Sequence, residues 1–265
     1  MKNISPKTIE EHRDYLYDIV KLKLFFLHHW LTEHPEEKFE NVLRNRVDIY
    51  RKTSANRELL NPQHLYFDES PWIEMEQKAA ELFQIYRNDA PTFEQEAFKV
   101  FQPSLDERLE KDYRDRSGLD GYQCGCLRHE LKTQIINDQL TLGFHIANAI
   151  APHSIFEDPQ YLKNCLLDLC NKAEKEFQAT AVSTRTWLNQ LDNWLRYFPE
   201  EWIRNRQAPG TDVGWHYGFW GQFISARGTF NKKYGDYMRK TGKFPHYPCF
   251  SCCTIESLRD HLSKM

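Results

Sequence analysis

Residues Leu140 to Leu188 constrain the fold of this chain more than any other stretch. Leu140-Thr141-Leu142-Gly143-Phe144-His145-Ile146 alternates apolar with small or polar residues, the period of a strand. A connection with Pro152 follows, and then Pro159 to Phe177 places Leu162, Leu166, Leu169, Cys170, Ala173 and Phe177 at helical spacing. Asp158 is positioned to cap that helix, with Pro159 in its first turn. Thr180 to Leu188 is rich in β-branched residues and reads as a second strand. Strand, helix and strand in this order predict a right-handed β-α-β crossover. Ligands of open α/β sheets usually sit at the carboxyl ends of such strands. Here those ends carry His145, Asn148, Thr186, Trp187 and Asn189.

The residues before this unit read as a helical layer. A long helix starts at Thr8 or Ser5 and runs to about His34, where Pro35 stops it. Phe39 to Lys52 predicts a second helix, and Pro71 to Tyr86 a third with Pro71 in its first turn. Pro91 to Val100 and Pro103 to Arg114 predict two shorter ones, and Asn61-Pro62 and Ser70-Pro71 mark turns. His28, His29 and His34 do not form a metal set, because neighbouring residues on a helix point about 100 degrees apart. The charge run Arg108 to Arg116 is a solvated helix face that ends near Ser117-Gly118. This divides the chain into a helical domain, 1–117, and a mixed α/β domain, 118–265. Tyr122 to Leu131 predicts the first strand. It pairs with the Leu140 strand as an antiparallel hairpin through a longish loop containing Asn137-Asp138. The fold class is therefore α+β: a helical N-terminal layer, then a small mixed sheet with a crossover helix.

Within the Leu140 strand, Leu142, Phe144 and Ile146 share one face, and Thr141, Gly143 and His145 the other. Gly143 opens room beside His145. The order Gly125-Cys126-Leu127, Leu142-Gly143-Phe144-His145-Ile146, a helix with Ala173 and Phe177, and then Thr186-Trp187-Leu188-Asn189 resembles a bacterial family of acyltransferase-like proteins. They are related to the GNAT superfamily of N-acetyltransferases and have a helical N-terminal domain. In that family one strand ends in His-Ile-Pro and a later one in Ser-Trp-Leu-Leu-Asp-Pro. Here Ala147 stands for the proline and Asn189 for the second leucine. Phe198-Pro199-Glu200-Glu201 to Asn205 falls where the family has Leu-Pro-Glu and Ser-Asn-Ile. The likeness covers Leu119 to Asn205 and, by layout, the helices before it. It implies an N-acetyltransferase-like sheet and, as donor, acyl-CoA or another acyl thioester. The Arg/Gln-x-x-Gly-x-Gly/Ala loop that grips a pyrophosphate is missing. By this resemblance a backbone donor polarises the thioester carbonyl, His145 is the base, and Tyr217 or Tyr122 protonates the departing thiolate.

The densest stretch in the C-terminal third is Gly214-Trp215-His216-Tyr217-Gly218-Phe219-Trp220-Gly221-Gln222-Phe223, continuing to Asn231. Large rings, three glycines and interleaved polar groups have the composition of a ligand pocket. Trp215, His216, Trp220, Gln222, Arg227 and Asn231, with Trp187 and Asn189, are the candidate substrate-binding residues. An aromatic core with Arg227 paired to a carboxylate accounts for the same pattern. Cys249-x-x-Cys252-Cys253 is the one metal-like spacing, and it lacks two ligands for a structural zinc, so no metal is expected. Tyr234 to Arg239 predicts a helix ended by Thr241-Gly242, and Thr254 caps a last one.

Composition narrows the class. A formal net charge of -3 supplies no basic field for nucleic acid. No apolar run reaches the eighteen or so residues of a membrane span. The odd count of 7 cysteines and the polar first residues point to reduced thiols and the cytoplasm. The partner is then a small-molecule substrate, with no nucleic acid and no membrane, and nothing specifies an oligomeric state. Three readings stand: an acyltransferase; a metal-dependent enzyme using His145, His153 and His216; and a non-catalytic binding protein with an aromatic pocket.

Overall fold

The computed structural model describes residues 5–56, 67–115 and 121–265. The architecture is α+β: N-terminal helices, then a small mixed sheet with a crossover helix. The chain divides into two units. One is Lys7–Asp115 with Val213–Pro245; the other is Met1–Pro6, Arg116–Asp212 and His246–Met265. The first takes in Val213–Pro245, a stretch that the sequence reading groups with the sheet. The turn at Asn61-Pro62 and the boundary at Ser117-Gly118 lie outside the described residues.

In the helical unit, α1 (Ile9–Glu33) opens on a capping box. The Thr8 hydroxyl accepts from the Glu11 N–H at 3.2 Å, and the Glu11 carboxylate accepts from the Thr8 N–H at 2.8 Å. The predicted second helix is broken into α2 (Phe39–Val42), a wide turn at Leu43–Val47 and a tight one at Tyr50–Lys52. The break falls at Asp48, whose φ of 49° is left-handed. Next come α3 (Trp72–Ile85) and α4 (Ala90–Arg114). The two short helices expected on either side of Pro103 are one. Proline removes a backbone donor and costs about 3 kcal/mol inside a helix. Phe93, Ala97, Phe98, Phe101 and Leu105 are all buried across that point, and burial at about 25 cal/mol per Å2 offsets the loss.

In the sheet unit, β1 (Leu127–Ile136) and β2 (Gln139–Ile146) form an antiparallel hairpin. Its loop is short: Asn137 and Asp138 alone, with φ of 50° and 60°, the left-handed pair that suits twisted strands. β1 thus starts and ends five residues later than its sequence pattern suggests. Leu131 and Ile135 lie exposed on it, which hides the alternation. Between the pairs His129↔Phe144 and Thr133↔Leu142, β1 has three residues, 130–132, against Gly143 alone. That is a bulge. α5 (Pro159–Phe177) leads from β2 to β3 (Ala181–Thr186), which lies parallel to β2. The short turns α6 (Asp192–Leu195) and α7 (Glu200–Arg204) follow. In the helical unit, α8 (Tyr217–Trp220) and α9 (Lys232–Thr241) come next. β4 (Cys249–Thr254) returns antiparallel to β3, and α10 (Ile255–Ser263) closes the chain. Sheet order is β1-β2-β3-β4. The core joins Leu127, Leu142, Phe144, Val182 and Cys253 to the α5 stripe and to Leu258 and Leu262 of α10.

Asn189 is the polar centre of this unit and is fully buried. Its Oδ1 accepts the indole N–H of Trp194 at 2.9 Å and of Trp202 at 3.1 Å. Its Nδ2 donates to Thr184 O at 3.2 Å and Cys249 O at 2.8 Å. Replacing it by alanine strands two buried donors and two buried carbonyls. The expected loss is about 3 kcal/mol or more of stability, measured by urea unfolding. A change under about 1 kcal/mol in Asn189→Ala would mean that these bonds are made equally well by water.

Candidate functional site

The β2–β3 ladder comprises Thr141↔Ala181, Leu142↔Val182 and Gly143↔Ser183, and stops there. Both strands continue, β2 to Ile146 and β3 to Thr186. Each keeps its outer partner to the end: Ile146 pairs with Leu127, and Thr186 with Cys249. The inner pair therefore parts while the outer pairs hold. On the core face Phe144 packs 6.5 Å from Trp194 and 6.3 Å from Trp202, ring centre to ring centre.

His145 lies on the opposite face at the end of β2. Its Nε2 is 2.6 Å from Glu130 Oε1, and both side chains are half exposed. Gly143 determines this contact. A Cβ there would lie 2.9 Å from Glu130 Cγ, so the glutamate stem fills the space a side chain would take. The bulge in β1 delivers Glu130 to that spot. Opposite His145 on β1 stands Arg128, whose guanidinium lies 5.6 Å from the Tyr122 ring centre. Burial pushes the Tyr122 phenol up against the opposing pull of Arg128, so it keeps its proton at neutral pH.

The connection after β2 is tied by its own polar groups. Asn148 Nδ2 donates to His153 O at 2.9 Å, and the Ile150 N–H donates to Asn148 Oδ1 at 3.3 Å. His153 Nδ1 meets Glu157 Oε2 at 3.0 Å, and Asp158 caps α5 by accepting from Gln160 N. Two carboxylates, Glu157 and Asp158, thus stand at the N-terminal end of α5. A diphosphate seated on that helix end would face both, so the residues present do not fit the pyrophosphate of acyl-CoA there. Trp187 stacks at 6.1 Å on His246.

The three-histidine metal reading is not supported. His145 and His153 each engage a different glutamate, and His216 Nδ1 is taken by the Gly218 N–H. Among the described residues no group of three or more His, Cys, Asp or Glu side chains is placed to hold a metal ion. Cys249, Cys252 and Cys253 are buried free thiols on β4.

In the helical unit the aromatic stretch packs as core. The Trp220 ring meets Phe26 and Phe244 edge-on at 5.5 and 5.1 Å, and its Nε1 donates to Arg46 O at 2.9 Å. Gln222 Nε2 donates to Phe219 O at 2.8 Å, and Asn231 Nδ2 donates to Gln222 O at 3.2 Å while its Oδ1 caps α9. His216 Nδ1 accepts from Gly218 N at 3.1 Å, and desolvation pushes its pKa down, as suits an acceptor. Arg227 pairs with Glu11 at 2.7 Å. Three residues of the stretch remain exposed. They are His216, Tyr217, and Trp215, whose ring lies 3.7 Å under the Arg51 guanidinium.

Sequence reasoning missed a buried charge relay in the same unit. Lys7 Nζ donates to His12 Nδ1 at 2.8 Å, so His12 Nε2 carries the hydrogen that meets Asp112 Oδ2 at 2.9 Å. Asp112 Oδ1 accepts from Lys52 Nζ at 2.7 Å. Burial alone would raise the Asp112 carboxyl; the His12 hydrogen bond and Lys52 outweigh it and hold it well below the usual carboxylate range. His12 and Asp112 are a hundred residues apart, and no local pattern links them. Glu130 was missed because the bulge that aims it has no signal of its own.

No family model, curated protein or solved structure matches the chain. Among the described residues no helix is long and apolar enough to cross a membrane.

Two outcomes follow from these contacts. Asp112 has a depressed carboxyl, so its contribution is present above about pH 4, the unfolded value, and is lost as pH falls below it. Asp112→Asn leaves Lys52 without its buried counter-charge and should destabilise the protein by about 3–5 kcal/mol at pH 7. Urea unfolding from pH 2 to 7 should show the wild type losing stability on acidification and the variant much less; parallel curves would refute the relay. Gly143→Ala should displace Glu130 from His145. A crystal structure of the variant that keeps the Glu130–His145 contact would show that the glutamate stem finds another path.

Proposed function

We propose that the sheet unit is an acyltransferase of N-acetyltransferase-like layout, moving an acyl group from a thioester donor to an amine or hydroxyl of a small molecule. One observation carries this reading: the parallel pair β2–β3 stops pairing at Gly143↔Ser183 while both strands run on. Strand edges that face each other without pairing present backbone groups to a polar ligand inserted between them. A backbone N–H there polarises a thioester carbonyl. The likeness of Leu119 to Asn205 to the acyltransferase-like family supports the same assignment.

Each group then has a task. His145 Nδ1 takes the proton from the acceptor amine as its nitrogen attacks the carbonyl carbon. Glu130 on Nε2 fixes the ring orientation. The C–N bond forms, the C–S bond breaks, and the thiolate leaves with a proton. Tyr122, in the same unit and held protonated by burial, is the acid. Trp187, half-buried beside His246, would line the acceptor side. The acidic end of α5 favours a thioester that places no diphosphate there, so no step is assigned to acyl-CoA.

Thiol release from short acyl-pantetheine donors in the presence of an amine panel tests this. His145→Ala should lower kcat by about 10²–10⁴-fold. Its half-exposed side chain should leave stability within about 0.5 kcal/mol. Equal turnover by the variant would remove His145 from the chemistry, and no release with any donor would remove the transferase assignment.

A further inference from the structure

The transfer chemistry above makes no use of the outer edge of the sheet. β1 is an edge strand, paired with β2 on one side only. The first part of that edge is closed by the chain itself. The Leu127 N–H and carbonyl exchange hydrogen bonds of 3.1 and 3.0 Å with Cys124, and the His129 N–H donates to Gln123 Oε1 at 3.2 Å. The second part is open. Leu140 O accepts from the Thr180 N–H at 2.8 Å, so that carbonyl points away from β1. Leu140↔Ile135 is therefore a pair without mutual hydrogen bonds, and so is Leu142↔Thr133, two residues along. Thr133 and Ile135 thus turn their N–H and C=O groups outward, and among the described residues no group is bonded to them there.

The side chains of this open stretch are apolar where water favours polar ones. Leu131 is 80% exposed and Ile135 69%. Natural sheets guard such an edge unless it has a partner. The stretch is centred on Thr133, and a twofold axis there sets the strand antiparallel to its own copy. Thr133 then faces Thr133, Lys132 faces Gln134, and Leu131 and Ile135 of one copy face Ile135 and Leu131 of the other. The two exposed apolar residues cover each other. At the hairpin tip, Asp138 of each copy runs toward Arg128 of the other, and the charges are opposite. Neighbouring registers fail. An axis through Lys132 opposes two ammonium groups. One through Leu131 centres the pairing on the bulge and sets Ile135 against Leu127, whose edge groups are already taken. One through Gln134 leaves Leu131 against Asn137 of the turn.

We propose that the β1 edge is a homodimer interface, in which two copies of this chain pair through Leu131 to Ile135 on a twofold axis at Thr133 and join their sheets into one. Both copies use the same edge, so the assembly closes at two. Outward backbone groups supply the hydrogen bonds, and the Leu131–Ile135 pairs supply the apolar contact. The paired stretch is short, and the dissociation constant is expected at about 1–100 μM. His145 and Glu130 lie outside that stretch, so the dimer and the transfer chemistry stand or fall separately.

Sedimentation velocity of the full-length protein from about 1 μM to about 500 μM tests this. The expected result is a shift from the mass of one chain to twice that mass, with no larger species. Ile135→Asp sets a carboxylate against Leu131 twice per dimer and should weaken association by about tenfold or more. At so exposed a position it should leave the urea midpoint at low concentration unchanged. Cross-linking reads the register. Two Thr133→Cys chains hold their new thiols at a Cα separation of about 5.5 Å, inside the disulfide range, and should oxidise to a covalent dimer. Lys132→Cys copies stand about 7–8 Å apart on the diagonal and should not. A single-chain mass at every concentration, a dimer that Ile135→Asp leaves intact, or a covalent dimer through Lys132→Cys in place of Thr133→Cys overturns the proposal. Should Ile135→Asp fail to fold, the two cysteine variants decide alone.

Discussion

A parallel strand pair that stops pairing halfway is held apart by something other than its own ladder. In the sheet unit that task falls to aromatic volume and one amide. Phe144, on the last part of β2, packs against the indoles of Trp194 and Trp202. Asn189 ties those two indoles to the backbone of β3 and β4 through Thr184 O and Cys249 O. Hydrophobic bulk alone would be free to slide, and hydrogen bonds alone would draw the strands together. The combination keeps β2 with β1 and β3 with β4 while the inner edges part. Without it His145 would sit on an ordinary closed sheet. Asn189 and Trp187 were grouped by sequence as ligand contacts. Asn189 acts instead inside the fold, and its whole amide is used there.

The helical unit solves a different problem. α1 buries Leu16, Ile19, Val20, Leu24 and Leu27, but also His12, Lys23 and His28. Buried charges are costly unless paired, and each here has a partner of definite geometry. Lys23 Nζ donates to Asp48 O at 3.0 Å and stands 5.2 Å over the Trp220 ring. Desolvation pulls its ammonium down to about 8 despite the Asp48 charge. Asp112 serves His12 and Lys52 at once, and Lys7 occupies the second nitrogen of His12. The aromatic stretch from Trp215 to Asn231 closes over this side of α1 and spends most of its polar groups on backbone caps and on Glu11. Its composition resembles a pocket because aromatic cores and ligand sites draw on the same residues.

Elements governed by local chemistry were readable from sequence, and those governed by distant contacts were not. Thr8, Asp158 and Thr254 cap helices in the structure because a cap is a matter of three or four consecutive residues. The strand–helix–strand unit was legible because α5 keeps one apolar stripe over its length and both strands lie against it. Pro103 misled because its local cost is real, while the burial that outweighs it depends on α1, some eighty residues earlier. β4 was missed because Cys249-Phe250-Ser251-Cys252-Cys253 has no apolar alternation; pairing with β3 makes it a strand. Of the candidate site, His145 was visible as the polar end of a strand, but its partner Glu130 was not. A bulge is a property of two strands in register, and neither strand contains it alone.

Two glycines of the sheet unit share a role that neither residue type nor conformation reveals. Gly143 and Gly125 are each backed by a side chain at a distance that forbids a Cβ: Glu130 in one case, Cys165 in the other. Gly125 has a left-handed backbone, so its turn alone would explain it; Gly143 does not, so only the neighbouring side chain does. In both places the missing methyl is replaced by an atom of another residue, which is thereby fixed in position: the Glu130 stem that reaches His145, and the Cys165 sulfur near the Tyr161 hydroxyl. A larger residue at either point would leave the strand or turn possible and still dismantle the constellation beside it. The glycines are therefore part of both arrangements, although they contribute no functional group to them.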